Sequence, residues 1–268
     1  MVKIAGLLHK DQDELRFQHD LQMTEKEFQD EYVTPNGRLV SDSQAAYAIA
    51  ICFGLLTPAQ QERAGLHLVY LVRKNSFRIG TGFAGTPFLC EALVLTGHIQ
   101  VAYAMILEES CPSWLYPVSM GATTMWERWD SMLPDGSINP GEMTSFNHYA
   151  FGSIAKFLYE RVAGLQRLSV GWRKCRFAPC IGAELSNASA SHETPMGHIS
   201  CSWKTTALQD NQTYLEATII VPPGISCEVF LPNRSKDLQK IVTHGKWKFE
   251  TVFDRDSGWP LKPLPPKS

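Results

Sequence analysis

Along the first 165 residues, apolar positions recur at helical spacing, and stretches with one apolar face take turns with stretches that are apolar all round. Residues up to about 33 are heavily charged, yet Phe17, Leu21, Phe28 and Tyr32 fall at helical spacings and predict a long amphipathic helix. Pro35-Asn36-Gly37 reads as a turn. Ser41 and Gln44 fit a capping box that opens the next helix, AAYAIAICFGLL, which is apolar on nearly every side and so must be buried on most of them. Thr57-Pro58-Ala59-Gln60 is a second box, with proline at the first helical position. The helix it opens carries a single stripe of Ala64, Leu68, Leu71 and Val72, and Asn75 closes it. TGFAGTP (residues 81–87) is a tight loop. Thr86 and Pro87 look like a cap and first residue for the apolar helix FLCEALVLTG, and HIQVAYAMILEE follows as an amphipathic one. A last stripe, Ile154, Phe157, Leu158 and Val162, predicts a helix over HYAFGSIAKFLYERVAGL.

Buried and outer helices in alternation, joined by short links, are what an α/α toroid requires. A helical solenoid would show a repeat at fixed period, and this chain has none. After about residue 165 the pattern changes. Residues 198–204, 214–221, 226–231 and 246–252 are short and partly alternating, and Pro222-Pro223-Gly224 separates two of them. They predict a small antiparallel β-sandwich. The expected organisation is therefore a partial (α/α)6 toroid over residues 1–165, a β-sandwich domain over 166–254, and an extended or disordered proline-rich tail over 255–268.

Composition narrows the function classes. A net charge of -2 gives no case for a nucleic-acid or anionic-membrane partner, and no apolar run reaches the length of a membrane helix. The start, MVKIAGLLHKDQDE, is not a secretory signal, so the chain as read is cytoplasmic, or secreted if its true start lies upstream. The seven cysteines lack metal spacing, and Cys52 and Cys90 read as buried free thiols. No metal site and no cofactor are expected: TGFAGTP lacks the preceding strand and the following lysine that a phosphate cradle needs. Asn187, Asn211 and Asn233 head glycosylation sequons that matter only in a secreted protein.

Candidate chemistry concentrates in residues 112–152, where Trp114, Tyr116, Trp126, Trp129, Phe146 and Tyr149 surround Glu127, Arg128, Asp130 and His148. Aromatic rings cover the C–H faces of sugars, while hydroxyls need charged or amide partners. Trp126 and Trp129 are three apart and would share one face of a helical turn, with Glu127 pointing away from it. An apolar surround would raise the Glu127 pKa and suit it to proton transfer. The competing reading has the tryptophans packing a core beside a solvated Glu127–Arg128 pair. Arg128 either orients Glu127 or faces water, and Trp114 and Tyr116 belong to a rigid loop.

The segments PSWLY, GATTMWERW and SFNHYAFGS, in that order, resemble α-L-rhamnosidases of glycoside hydrolase family 78, and so do TGFAGTP and SDSQAAYAIAICFGLL before them. The resemblance runs from near Met1 to about Phe253. It implies the C-terminal half of a six-hairpin catalytic domain followed by a C-terminal β domain, and inverting hydrolysis of terminal α-L-rhamnose from a rhamnose-containing glycoside. It places the general base on Glu127 and the sugar-hydroxyl contact on His148, with Trp126 and Trp129 as further substrate-binding candidates. The acidic segment that supplies the family's general acid has no counterpart here, since DQDELRFQHD is a helical charge run. The chain is thus expected to be a fragment, self-associating through an open half-toroid. A non-catalytic carbohydrate-binding protein and a degenerate fragment remain the alternatives.

Overall fold

The computed structural model describes residues 1–254 and 258–265, which divide into two compact units. The first holds Met1–His98 with the described part of Pro263–Ser268, and the second is Ile99–Lys262. Of the expected tail, 255–257 and 266–268 lie outside the described residues, and 258–265 form neither helix nor strand.

In the first unit the helices are α1 (Val2–Leu7), α2 (Asp11–Tyr32), α3 (Gln44–Cys52), α4 (Pro58–Lys74) and α5 (Thr86–Leu95). Asp11, Asp13 and Glu14 in the first turn of α2 favour its N-terminal dipole. No residue of α2 is buried, however. Phe17 and Phe28 are half-buried and Tyr32 is exposed, so the expected stripe is only partly covered. Helix α3 buries Tyr47, Ala48, Ala50 and Ile51 and packs chiefly on α5 and α4.

Its cap differs from expectation. Ser43, not Ser41, accepts the Ala46 N–H, and Ser41 instead bonds the Ser43 hydroxyl. Gln44 is then free to turn inward: 5% exposed, it accepts the Gly80 N–H at 2.7 Å and donates to the Arg78 carbonyl at 3.1 Å. The Thr57–Gln60 box forms as the sequence indicates, and Asn75 ends α4. Thr86 does not cap α5, which Gly85 precedes. Its hydroxyl bonds the Gly82 carbonyl and Thr81. Cys90 is buried, whereas Cys52 is only half-buried, with its thiol on the Phe88 carbonyl.

The second unit opens with α6 (Ile99–Ile106) and α7 (Leu115–Ser119). After a long loop, the predicted last helix is split into a 3-10 turn at Ala150–Ser153, α8 (Ile154–Phe157) and a π-helical turn at Leu158–Ala163. The π turn shifts the phase of the stripe: Phe157 is buried, but Leu158 is 42% exposed.

Two four-stranded sheets follow. One has the order β1 (Leu165–Arg167), β2 (Lys174–Phe177), β6 (Ser226–Leu231), β7 (Leu238–Val242). The other runs β3 (Asn187–Thr194), β4 (Gly197–Ala207), β5 (Gln212–Val221), β8 (Gly245–Asp254). Neighbours are antiparallel except β2 and β6, whose parallel pairing sets Cys175 opposite Cys227. Alternate residues of both sheets, among them Phe177, Ile199, Trp203, Leu215, Ile219 and Val229, form the buried core. Strand β3, with the sequence NASASHET, carries no strand signal of its own and is held by its register against β4.

Gly164 joins the π turn to β1 with φ 91°, and a Cβ there would lie 2.5 Å from the Pro179 nitrogen. Left-handed strain of about 1–2 kcal/mol and overpacking of about 1–3 kcal/mol would add. Gly164→Ala is expected to lower denaturant stability by about 2–5 kcal/mol. Gly171→Ala is the control, because Gly171 also has a positive φ but nothing within 4 Å, and it should lose only the conformational part.

Candidate active site

The stretch 120–149 is an irregular loop built on itself. The Glu127 N–H donates to the Ser145 carbonyl at 2.8 Å, and the Ser145 N–H donates back to Glu127 Oε2 at 3.2 Å. The His148 N–H donates to the Met125 carbonyl at 2.8 Å, and the Thr124 hydroxyl donates to the Phe146 carbonyl. Segments 124–127 and 145–148 therefore run side by side, and Glu127 and His148, each half-buried, sit on the two paired segments. Both side chains are oriented: Glu127 by the Ser145 amide, and His148 through Nδ1, which accepts the Ala150 N–H at 3.2 Å and leaves the ring proton on Nε2. The His148 ring also stacks on Tyr149 with centroids 5.1 Å apart.

The helical turn expected over Trp126–Trp129 is absent, because the backbone donors of 127 and 148 are bonded to the neighbouring segment instead of four residues back. The two tryptophans do not share a face. Trp126 is 3% exposed and meets Phe146 edge-on at 5.1 Å. Trp129, 9% exposed, stacks on Phe151 at 3.8 Å and meets Trp114 edge-on at 5.8 Å. Trp114 Nε1 donates to the Phe151 carbonyl, and the Tyr116 hydroxyl donates to the Met132 carbonyl at 2.8 Å. These contacts tie the loop to α7 and to the 3-10 turn at Ala150–Ser153.

Arg128 takes neither of its two expected roles. Its guanidinium pairs with Asp130 at 3.1 and 3.4 Å and reaches the Glu142 carbonyl, while Asn139 donates to Asp130 at 2.9 Å. Arg128 is therefore a brace of the loop 128–142. Asp135 holds the tip of that loop: its carboxylate accepts the Ser137 hydroxyl and N–H, which pull its pKa down. Sequence reasoning missed Ser145 and Thr124. Their part is played by main chain and a hydroxyl across the loop, and only a Thr-Ser-Phe segment of extended character hinted at it.

Two family descriptions match the chain. The bacterial α-L-rhamnosidase 6-hairpin glycosidase domain matches residues 1–162, and the bacterial α-L-rhamnosidase C-terminal domain matches residues 164–246. The α-L-rhamnosidase of Streptomyces avermitilis is 38% identical over 220 residues, which is 82% of this chain and 21% of that protein. An α-L-rhamnosidase of Formosa agariphila is 34% identical over 250 residues, 91% of this chain and 26% of that protein. Among solved structures, the native α-L-rhamnosidase of Aspergillus terreus superposes with a TM-score of 0.89 at 35% identity, covering 93% of this chain and 28% of its own. The Streptomyces avermitilis enzyme complexed with L-rhamnose gives 0.85 at 33% identity, covering 93% and 25%. The chain thus spans about a quarter of the length of the relatives it matches. The expected fold class, part of a six-hairpin toroid followed by a β-sandwich, agrees with these matches.

Proposed function

This chain belongs to the bacterial α-L-rhamnosidase family, and from that premise we propose that it carries one side of a site for inverting hydrolysis of terminal α-L-rhamnose from glycosides. Glu127 is the general base that takes a proton from the attacking water, and His148 donates from Nε2 to a rhamnose hydroxyl. Trp126 and Trp129, buried against Phe146, Phe151 and Trp114, support the loop from within and do not touch the sugar themselves. The observation that carries the reading is the reciprocal pairing of Glu127 with Ser145, one step from the pairing of His148 with Met125. It supports the reading because the carboxylate and the imidazole are carried on two segments bonded to each other.

Inversion needs a second carboxyl to protonate the leaving oxygen, and that role is assigned to no residue of this chain. Bare Glu127 activity is therefore expected only on an aryl α-L-rhamnoside, whose leaving group needs little protonation. The test is release of p-nitrophenol from p-nitrophenyl α-L-rhamnoside by the wild-type chain, Glu127→Gln and His148→Ala. Rates that neither substitution changes would sink the reading. The alternative, carbohydrate binding without catalysis, predicts no release from any of them but L-rhamnose binding that His148→Ala weakens.

Self-association through the open half-toroid belongs to the same proposal. Apolar side chains stand in solvent on α1 and α2, with Ile4 54%, Leu7 78% and Leu15 72% exposed. The chain is expected to sediment as a species larger than its 30.0 kDa monomer, and Leu7→Glu with Leu15→Glu should restore the monomer. A wild-type chain already monomeric at micromolar concentration would contradict this.

A further inference from the structure

Within the second unit lies a cavity of about 910 Å³ that takes no lining residue from the loop 112–152. Its volume is at the upper end of ligand pockets, which run to about 1,000 Å³. One wall is the segment 178–186, tied down at every step. The Cys180 N–H donates to the Arg161 carbonyl at 2.7 Å, the Tyr103 hydroxyl donates to the Cys180 carbonyl at 2.5 Å, and the Ala183 N–H donates to Gln100 Oε1 at 3.0 Å. A Cβ on Gly182 would fall 2.7 Å from the Tyr103 ring, so α6 and this wall are in close contact. Ala183 and Glu184 both hold positive φ, 52° and 57°, a strain that persists only where the surroundings fix it.

Phe230, Phe253 and Trp259 also line the cavity, all half-buried. The Arg176 guanidinium is held by two bonds to Glu228 Oε2, at 3.1 and 2.7 Å, and covers the Phe230 ring at 5.1 Å.

We propose that this cavity is a second carbohydrate-binding site, separate from the Glu127–His148 loop, that takes a neutral oligosaccharide. Aromatic rings and fixed polar groups lining one cavity are what a polyhydroxylated ring with apolar C–H faces requires. The charged lining is of both signs, with Arg161 and Arg176 against Glu184, Asp237 and Asp254. A phosphate or uronate would meet three carboxylates, and a cation two guanidinium groups, so a neutral ligand is favoured. The chain would then hold a rhamnose-bearing saccharide at a point remote in sequence from its hydrolytic residues.

The test is calorimetric titration of the full chain with rutinose, a neutral rhamnosyl disaccharide. Binding in the millimolar range is expected, and it should persist in the Glu127→Gln, His148→Ala double variant. Trp259→Ala should weaken it about tenfold, the scale of one lost aromatic contact, while Trp259→Phe keeps most of it. Absence of binding by the wild-type chain, equal affinity in Trp259→Ala, or loss confined to the Glu127–His148 double variant would each overturn the proposal. The hydrolytic reading fails by a different result, p-nitrophenol release insensitive to Glu127, so the two are judged separately.

Discussion

Replacing Glu127 by Gln is expected to lower hydrolysis of p-nitrophenyl α-L-rhamnoside by about 10²–10⁴-fold, the contribution general acid–base groups usually make. Glutamine keeps the shape of the side chain and can still accept the Ser145 N–H that Glu127 Oε2 accepts at 3.2 Å. The loop should therefore stay folded, and the loss should fall on kcat rather than on KM. His148→Ala should do the reverse, raising KM first, because a hydroxyl contact holds the sugar before and during the reaction alike. A natural rhamnoside with an alkyl leaving group should turn over about 10²–10⁴-fold more slowly than the aryl substrate, since no acid is assigned to protonate its oxygen. Turnover of the natural substrate that Glu127→Gln abolishes would show that an acid is present in this chain. Azide is a further probe with Glu127→Ala, which leaves room for it: a small anionic nucleophile should restore some rate if Glu127 is a base, and restoration should be absent if it only positions the loop.

Trp203→Ala should cost about 3–5 kcal/mol of stability, the range for emptying a large aromatic site in a core. Trp203 sits in β4 at 2% exposure, inside the buried layer between the two sheets. Its Nε1 also donates to the Val162 carbonyl at 2.8 Å, at the end of the π-helical turn where i to i−4 bonding is interrupted. Loss of the ring would therefore leave both a cavity and an unpaired carbonyl. Trp203→Phe fills much of the cavity but not the hydrogen bond, and it should recover more than half of the loss. Denaturant unfolding followed by far-ultraviolet dichroism checks both. If the alanine variant unfolds at the wild-type midpoint, the sheet-to-turn bond is not a support of this unit.

Local signals were legible where the interacting groups lie within a turn of each other. The Thr57–Gln60 box, the Asn75 stop and the stripe of Ala64, Leu68, Leu71 and Val72 all appear as read, because a cap and a stripe are settled over distances of three or four residues. Where two candidates stood close together, the reading slipped. Ser41 and Ser43 both suit an N-cap, and packing of Gln44 against Gly80 selects the second. The segments 198–204, 214–221, 226–231 and 246–252 likewise revealed β4, β5, β6 and β8, but not β1, β2, β3 or β7, which are short or poor in β-branched residues.

At the candidate site, residue types marked a cluster of aromatics around Glu127, Arg128, Asp130 and His148, and the order of motifs carried the family and with it the roles proposed for Glu127 and His148, since a run of unusual residues at fixed spacing survives in the sequence whatever its conformation. The conformation itself was decided only in three dimensions. Helical spacing of Trp126 and Trp129 counted for nothing once the 127 and 148 amides found partners at 145 and 125. The same holds for Arg128, whose guanidinium is captured by Asp130, itself held by Asn139, rather than by Glu127. The parallel β2–β6 pair and the cavity shared by Arg176, Ala183, Phe230 and Trp259 join residues dozens of positions apart. Backbone groups must be paired and apolar faces covered, but the chain does not state with which distant segment. That choice rests on the total packing of the unit, which no short stretch encodes.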